Sequence, residues 1–143
     1  MKSPFLNKNL LCVALFFVLG LNASKAQDKS LYSQQQIENH IREVFADQAD
    51  SLVFGKSVQR LKLITSFFNR ISMKSVPEYR GKKFKLLSSL PLIDKYNSKL
   101  KRDAVFNPET FNALKYEFNI ASKDKQIFRI DRTDYIIIIS PLK

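Results

Sequence analysis

The sequence predicts a single α+β domain in which N-terminal helices pack on a C-terminal antiparallel β-meander. Three observations predict it. A capping signature followed by an apolar stripe of helical period begins near residue 33, and a β-branched run, YIIIIS, lies at residues 135–140. Two shorter apolar stretches, separated by polar turns, stand just upstream of that run.

Residues 1–9 carry Lys2 and Lys8 and no acid, residues 10–21 are an apolar run of 12, and Ser24 and Ala26 are small residues before Gln27. A basic start, a short apolar stretch and a small-x-small exit predict a signal peptide over residues 1–26. The run is shorter than the roughly 20 residues a spanning helix needs. Cys12 stands at the start of the apolar run rather than after it, which argues against lipidation. Cleavage leaves a domain over residues 27–143, 117 residues, and removes the only cysteine. The domain then has no disulfide, no cysteine nucleophile and no cysteine metal ligand. Its stability rests on packing, which a chain of this size supports by burying somewhat over 60% of its unfolded surface.

Ser33 and Gln36 have the spacing of a capping box. Ile37, Ile41, Val44 and Phe45 follow on one helical stripe, so a helix is expected over 34–48. A second helix is favoured over 57–70 with Ser57 as its cap, while the alternation of Leu61, Leu63 and Phe67 also permits a strand. Val58, Leu61, Ile64, Phe68 and Ile71 fall on one arc, and Leu63 and Phe67 opposite. A short strand over 71–76 ends at Pro77. Residues 85–97 read as a loop-rich crossing element, because Pro91 bars a regular helix and Leu86, Leu87, Leu90, Leu92 and Ile93 have to pack beneath it. Asn107-Pro108-Glu109 signals a short helix over 108–114.

Residues 115–140 complete the expectation as a three-stranded antiparallel meander. Residues 116–120 alternate apolar and polar, 126–130 are apolar, and Asp131 suits the connection to the last strand. YIIIIS spans about 17 Å as a strand, far short of the roughly 30 Å hydrocarbon core of a membrane. A short β-branched run bounded by Asp134 and Pro141 is what a strand covered on both faces looks like. Left exposed it would be an aggregation site, so it is expected to pair inside the sheet.

Charge is uneven. Residues 27–55 hold two basic and five acidic side chains, residues 56–102 hold 13 basic against Glu78 and Asp94, and residues 103–143 hold six of each. The densest basic stretch contains Arg80, Lys82, Lys83 and Lys85, with a second cluster at Lys99, Lys101 and Arg102. These seven residues are the candidate anion-binding face. The expected partners are anionic lipid head groups or acidic glycans, since nucleic acid is the lesser option for an exported protein. A lysine-rich solvated loop is the bland reading of the same cluster.

Catalysis has little to stand on. His40 is the single histidine and is expected at the edge of the first helix's stripe, half-buried. No second histidine completes a metal site, and the carboxylates are dispersed. With only Gly55 and Gly81 after the leader, no glycine-rich phosphate cradle forms. No serine lies in a nucleophile elbow. No catalytic residue, metal or cofactor is assigned.

The stretches LLSSLPLIDKYN at 86–97, FNPETFNALKY at 106–116 and RIDRTDY at 129–135 resemble small exported proteins of Bacteroidota with no assigned function. The resemblance implies export and a single domain, and brings no activity or site. The expected function is a non-catalytic binding or structural protein of the cell envelope, periplasmic or secreted, with no membrane-spanning segment once the leader is gone. The alternatives are a small-ligand protein, with a groove under the crossing element and Tyr96 and Asn97 at its mouth, and a hydrolase with a cleft of dispersed carboxylates.

Overall fold

The computed structural model describes residues 30–55, 58–77 and 83–143. The expected signal peptide, the Ser57 cap, Arg80 and Lys82 lie outside them.

Helix α1 (Gln34–Phe45) opens on the expected capping box. Ser33 Oγ accepts from the Gln36 amide at 3.2 Å, and Gln36 Oε1 accepts from the Ser33 amide at 2.8 Å. The α-helix stops at Phe45 because Ala46 takes φ 46°, a conformation that favours glycine. The chain continues as a 3₁₀ turn (Ala46–Gln48) and a π turn (Asp50–Phe54). That turn closes where the Gly55 amide donates to Asp50 O at 2.6 Å, and a Cβ on Gly55 would stand 2.8 Å from the same oxygen.

Helix α2 (Val58–Asn69) runs directly into strand β1 (Ile71–Ser75), as the apolar pattern predicts. Its buried face differs from the expected arc. Val58 is exposed, while Phe67, expected opposite, is completely buried beside Phe68. Both rings are covered because the last turn of α2 is wedged between two partners. Phe68 packs against Tyr32 at 4.9 Å between ring centroids, and Phe67 against Phe118 at 5.9 Å.

The other strands are β2 (Lys85–Leu86), β3 (Gln126–Arg129) and β4 (Tyr135–Ile139), in the spatial order β1-β4-β3-β2 among the described residues. The isoleucine strand is therefore central. β4 pairs antiparallel with β1, Met73 opposite Ile137, and antiparallel with β3, Phe128 opposite Ile137. Ile137 and Ile139 are completely inaccessible on one face, Ile136 is buried on the other, and Ile138 is half-buried. Arg70, at the junction of α2 and β1, donates to the carbonyls of Ser66, Ile120 and Ser140, tying the helix to both chain segments that flank the sheet.

The α+β class holds, but the sheet is mixed rather than an antiparallel meander, because β2 pairs parallel with β3. Residues 116–120 are not a strand. Tyr116 and Phe118 are buried and Glu117 is exposed, so the period-two pattern is present. It fills the core from one side and meets only an isolated bridge between Tyr116 and Leu92. The expected helix over 108–114 is absent too. Asn107 Oδ1 accepts from the Glu109 amide at 2.9 Å, as a cap would, but only a turn follows. Residues 111–116 are all buried, leaving no solvated helix face. Asn112 Oδ1 takes the Leu114 amide at 3.0 Å and starts a separate 3₁₀ turn (Ala113–Lys115).

The crossing element carries 3₁₀ turns (Leu87–Ser89 and Asp94–Tyr96) on either side of Pro91. Leu87 and Leu90 are buried as expected, but Leu86 is 43% exposed. It is the last residue of a two-residue strand that forms the edge of the sheet among the described residues.

Candidate functional site

A chain of aromatic rings leads from the helices to a surface cleft. Phe67 packs on Phe118, Phe118 on Tyr116, Tyr116 on Phe111 and Phe111 on Phe106, with centroids 5.5–6.2 Å apart. Phe106, Phe111 and Tyr116, with Leu87 and Ile130, line a cleft of about 580 Å³. Its polar wall comes from three segments: Ser88 after β2, Arg102 and Asp103 on the loop before Phe106, and residues 131–133 in the β3–β4 turn.

The polar residues have unequal local partners. Asp131 Oδ1 accepts from Ser88 Oγ at 2.5 Å, and Asp131 Oδ2 from the Ser88 amide at 3.0 Å. Partial burial pushes the Asp131 carboxyl up, but the two Ser88 hydrogen bonds and the Arg102 charge outweigh it and hold it below its ordinary value. Asp103 Oδ1 lies 2.7 Å from Lys115 Nζ, which also lies 2.7 Å from Glu43 Oε1 on α1. Burial pulls the Lys115 ammonium down, but hydrogen bonds and charge from Asp103 and Glu43 prevail and hold it above the usual lysine value. Asn112 completes this knot, donating to Glu43 Oε2 at 2.9 Å and to the His40 carbonyl at 3.1 Å.

The arginines are different. Arg102 donates to the neutral Leu90 carbonyl, and its guanidinium stands 5.3 Å from the Tyr116 ring centroid. Arg132 is exposed at φ 59°. Neither has a carboxylate within ion-pair distance among the described residues. The Thr133 amide donates to Ile130 O at 3.2 Å, closing a four-residue turn with Arg132 at its third position, where a positive φ favours glycine.

Of the seven expected anion-binding residues, the structure brings Arg102 into the cleft. Lys83, Lys85, Lys99 and Lys101 are exposed, and Lys85 Nζ lies 5.7 Å from the Phe128 ring centroid. The Arg102–Leu90 hydrogen bond ties the second basic stretch to the crossing element that follows the first. Lys85 is three residues from Ser88 and Lys101 adjoins Arg102, so their Cα atoms lie within about 11 Å and about 4 Å of those cleft residues. Tyr96 and Asn97 do not form a groove mouth. Tyr96 stacks on Phe45 at 4.8 Å, and Asn97 donates to Glu43 O at 2.8 Å, so both fasten the crossing element to α1. Ser88, Asp103, Arg132 and Thr133 were not legible as site residues. Their only sequence signal was the polar RTD run beside Asp131, which reads equally as a turn.

His40 is buried rather than half-buried, at 9% exposure. Tyr32 meets it edge-on and Phe68 stacks on it, each at 5.6 Å between centroids. Tyr32 Oη and His40 Nε2 are both buried without a hydrogen-bond partner among the described residues. Burial is the main cause that pushes the imidazole down, opposed by Glu43. The Tyr32 phenol is pushed far up by burial. A histidine whose folded pKa is depressed binds fewer protons when folded than when unfolded. Stability is therefore retained above the unfolded value, about 6.5, and lost as pH falls below it. Urea titrations should show wild-type stability falling from pH 7 to 5 by at most about 1.4 kcal/mol per pH unit. His40→Phe should remove that slope, and an unchanged slope in the variant would assign it to other groups.

No group of three histidine, cysteine, aspartate or glutamate side chains is placed to share a metal ion among the described residues. No described helix is long and apolar enough to cross a membrane. No protein-family model, curated protein or solved structure matches the chain.

Proposed function

We propose that the protein is an exported, non-catalytic binding protein of the cell envelope that docks on anionic lipid through its basic face. The leader expected in residues 1–26 would deliver it there. One observation carries this reading. Two aliphatic side chains exposed to solvent, Leu86 at 43% and Val105 at 82%, border the two basic stretches, and the Arg102–Leu90 bond ties the second stretch to the segment that follows the first. Leu86 follows Lys85, and Val105 lies three residues from Arg102. An apolar tip among lysines suits a lipid interface, where cations meet phosphates and the aliphatic groups leave water. Each well-placed Lys or Arg contributes about 1 kcal/mol at an anionic surface, and burying a Val side chain contributes about 1.5–3 kcal/mol.

A hydrolytic use of the cleft fits less well. Asp131 is held below its ordinary value chiefly by its Ser88 hydrogen bonds, so it is not prepared as a proton donor at neutral pH, and Asp103 is engaged by Lys115 Nζ.

Sedimentation with vesicles tests the proposal. Wild-type protein should bind vesicles rich in phosphatidylglycerol and not phosphatidylcholine, and binding should fade with salt as the Debye length falls from about 10 Å at 0.1 M to about 3 Å at 1 M. The combined change of Arg80, Lys82, Lys83 and Lys85 to Ser should weaken it, and so should Val105→Ser alone, with the thermal transition unchanged. No binding at low salt, or binding indifferent to both variants, would reject the reading.

A further inference from the structure

We infer that the cleft between Ser88, Arg102 and the β3–β4 turn is a binding site for a small hydroxylated acid, a sugar bearing a carboxylate or a phosphate. The inference does not depend on docking at a lipid surface. It follows from which polar groups already have partners. The two acids of the cleft are engaged, Asp103 by Lys115 Nζ at 2.7 Å and Asp131 by both donors of Ser88. Neither of its two arginines has a carboxylate within ion-pair distance among the described residues, although the Arg102 charge is felt at Asp131. Arg102 spends donors on neutral groups, the Leu90 carbonyl and the Tyr116 side chain, and a guanidinium has five. Arg132 makes no side-chain hydrogen bond among the described residues, so an anionic group is what the pair is fitted to bind.

The backbone at Arg132 supplies a second, independent observation. An L-residue at φ 59° in the third position of the turn is strained relative to glycine. An outlier of this kind is a reason to look for function in the side chain that keeps it, and here that side chain lines the cleft.

The rest of the lining narrows the ligand. The Asp103 and Asp131 carboxylates keep lone pairs beyond those their partners use, and these require donors from the ligand. Phe106 offers a half-buried ring and Val105 an exposed aliphatic face on the same wall. A ligand that supplies an anion, hydroxyl donors and an apolar C–H face together is a sugar acid or a sugar phosphate. The volume of about 580 Å³ lies within the range usual for small-molecule sites.

Titration calorimetry with glucuronate and glucose 6-phosphate, against glucose and inorganic phosphate as controls, tests the site. The expected result is that at least one acid sugar binds about tenfold or more tightly than both controls, about 1.4 kcal/mol. Arg132→Gly should abolish that preference while the protein keeps or raises its thermal transition, since glycine suits the φ. Arg102→Gln, which keeps a donor for Leu90 O, should weaken binding as well. Phosphatidylinositol vesicles compared with phosphatidylglycerol vesicles of equal charge identify the source. A preference for phosphatidylinositol that Arg132→Gly removes, without binding of the free sugars, assigns the site to a lipid head group, and binding of the free sugars assigns it to a soluble acid. The inference is overturned if both acid sugars bind no better than the controls and vesicle binding ignores the inositol. It is overturned equally if any preference survives Arg132→Gly.

Discussion

Ile137→Ala should lower folding stability by about 2–5 kcal/mol, a large share of the 5–15 kcal/mol typical of a domain. Ile137 is completely inaccessible and has a strand on either side, Met73 opposite it on β1 and Phe128 opposite it on β3. Truncation removes apolar contact with the helix-covered core and leaves a cavity. Paired strands on both sides resist the backbone shift that would refill it. Ile138 is the internal control, because it shares the strand and the pairing but is only half-buried. Its truncation should cost clearly less than that of Ile137, within the same denaturant slope. Equal losses at both positions, or a loss below about 1 kcal/mol at Ile137, would mean that the central strand is not packed as described.

The parts of this fold that were legible in the sequence are those decided by local chemistry. Ser33 and Gln36 form their reciprocal bonds within one turn of chain, and the helix they start buries the expected Ile37, Ile41 and Val44. The isoleucine run is read as a strand because its shortness, its β-branched side chains and its bounding Asp134 and Pro141 are all local features. The failures lie where distant segments decide. The alternation of Tyr116, Glu117 and Phe118 shows which side chains turn inward, but not whether a neighbouring strand is there to pair with. Asn107-Pro108-Glu109 provides a cap, but burial of residues 111–116 removes the solvated face a helix would need. The parallel pairing of Lys85–Leu86 with β3 joins segments some 40 residues apart, and a two-residue strand leaves no periodicity to read.

The cleft was legible only through its charge. Arg102 belongs to a basic cluster visible in composition, whereas Arg132 sits in a neutral stretch and gains significance from the lack of a close carboxylate among the described residues and from a φ that favours glycine. Ser88 and Asp131 are 43 residues apart, and their hydrogen bonds could not be read from either neighbourhood. Burial of His40 was missed for a similar reason. Its helical position put it at the edge of the stripe, and Tyr32 and Phe68, from outside the helix, close over it.

Lys115→Met should be the second large loss, about 2–4 kcal/mol, somewhat less than breaking a fully buried pair because both carboxylates keep some contact with water. The Lys115 side chain is only 7% exposed, against 43% for Glu43 and 34% for Asp103. Methionine fills much of the aliphatic stem, so the loss comes mainly from charge. Two carboxylates that faced one ammonium at 2.7 Å are left facing each other. The origin of the loss makes it partly reversible. Adding Glu43→Gln and Asp103→Asn should recover part of the stability, because neutral amides in those places no longer repel, and the Glu43→Gln side chain retains an oxygen for Asn112. The triple variant should therefore be more stable than Lys115→Met alone, a non-additive result that loss of packing would not produce. Asp103 also lines the cleft, so Lys115→Met should disturb acid-sugar binding even under conditions where the protein stays folded. If Lys115→Met unfolds within about 0.5 kcal/mol of wild type, the knot between α1 and the cleft loop is a surface ion pair of no structural consequence.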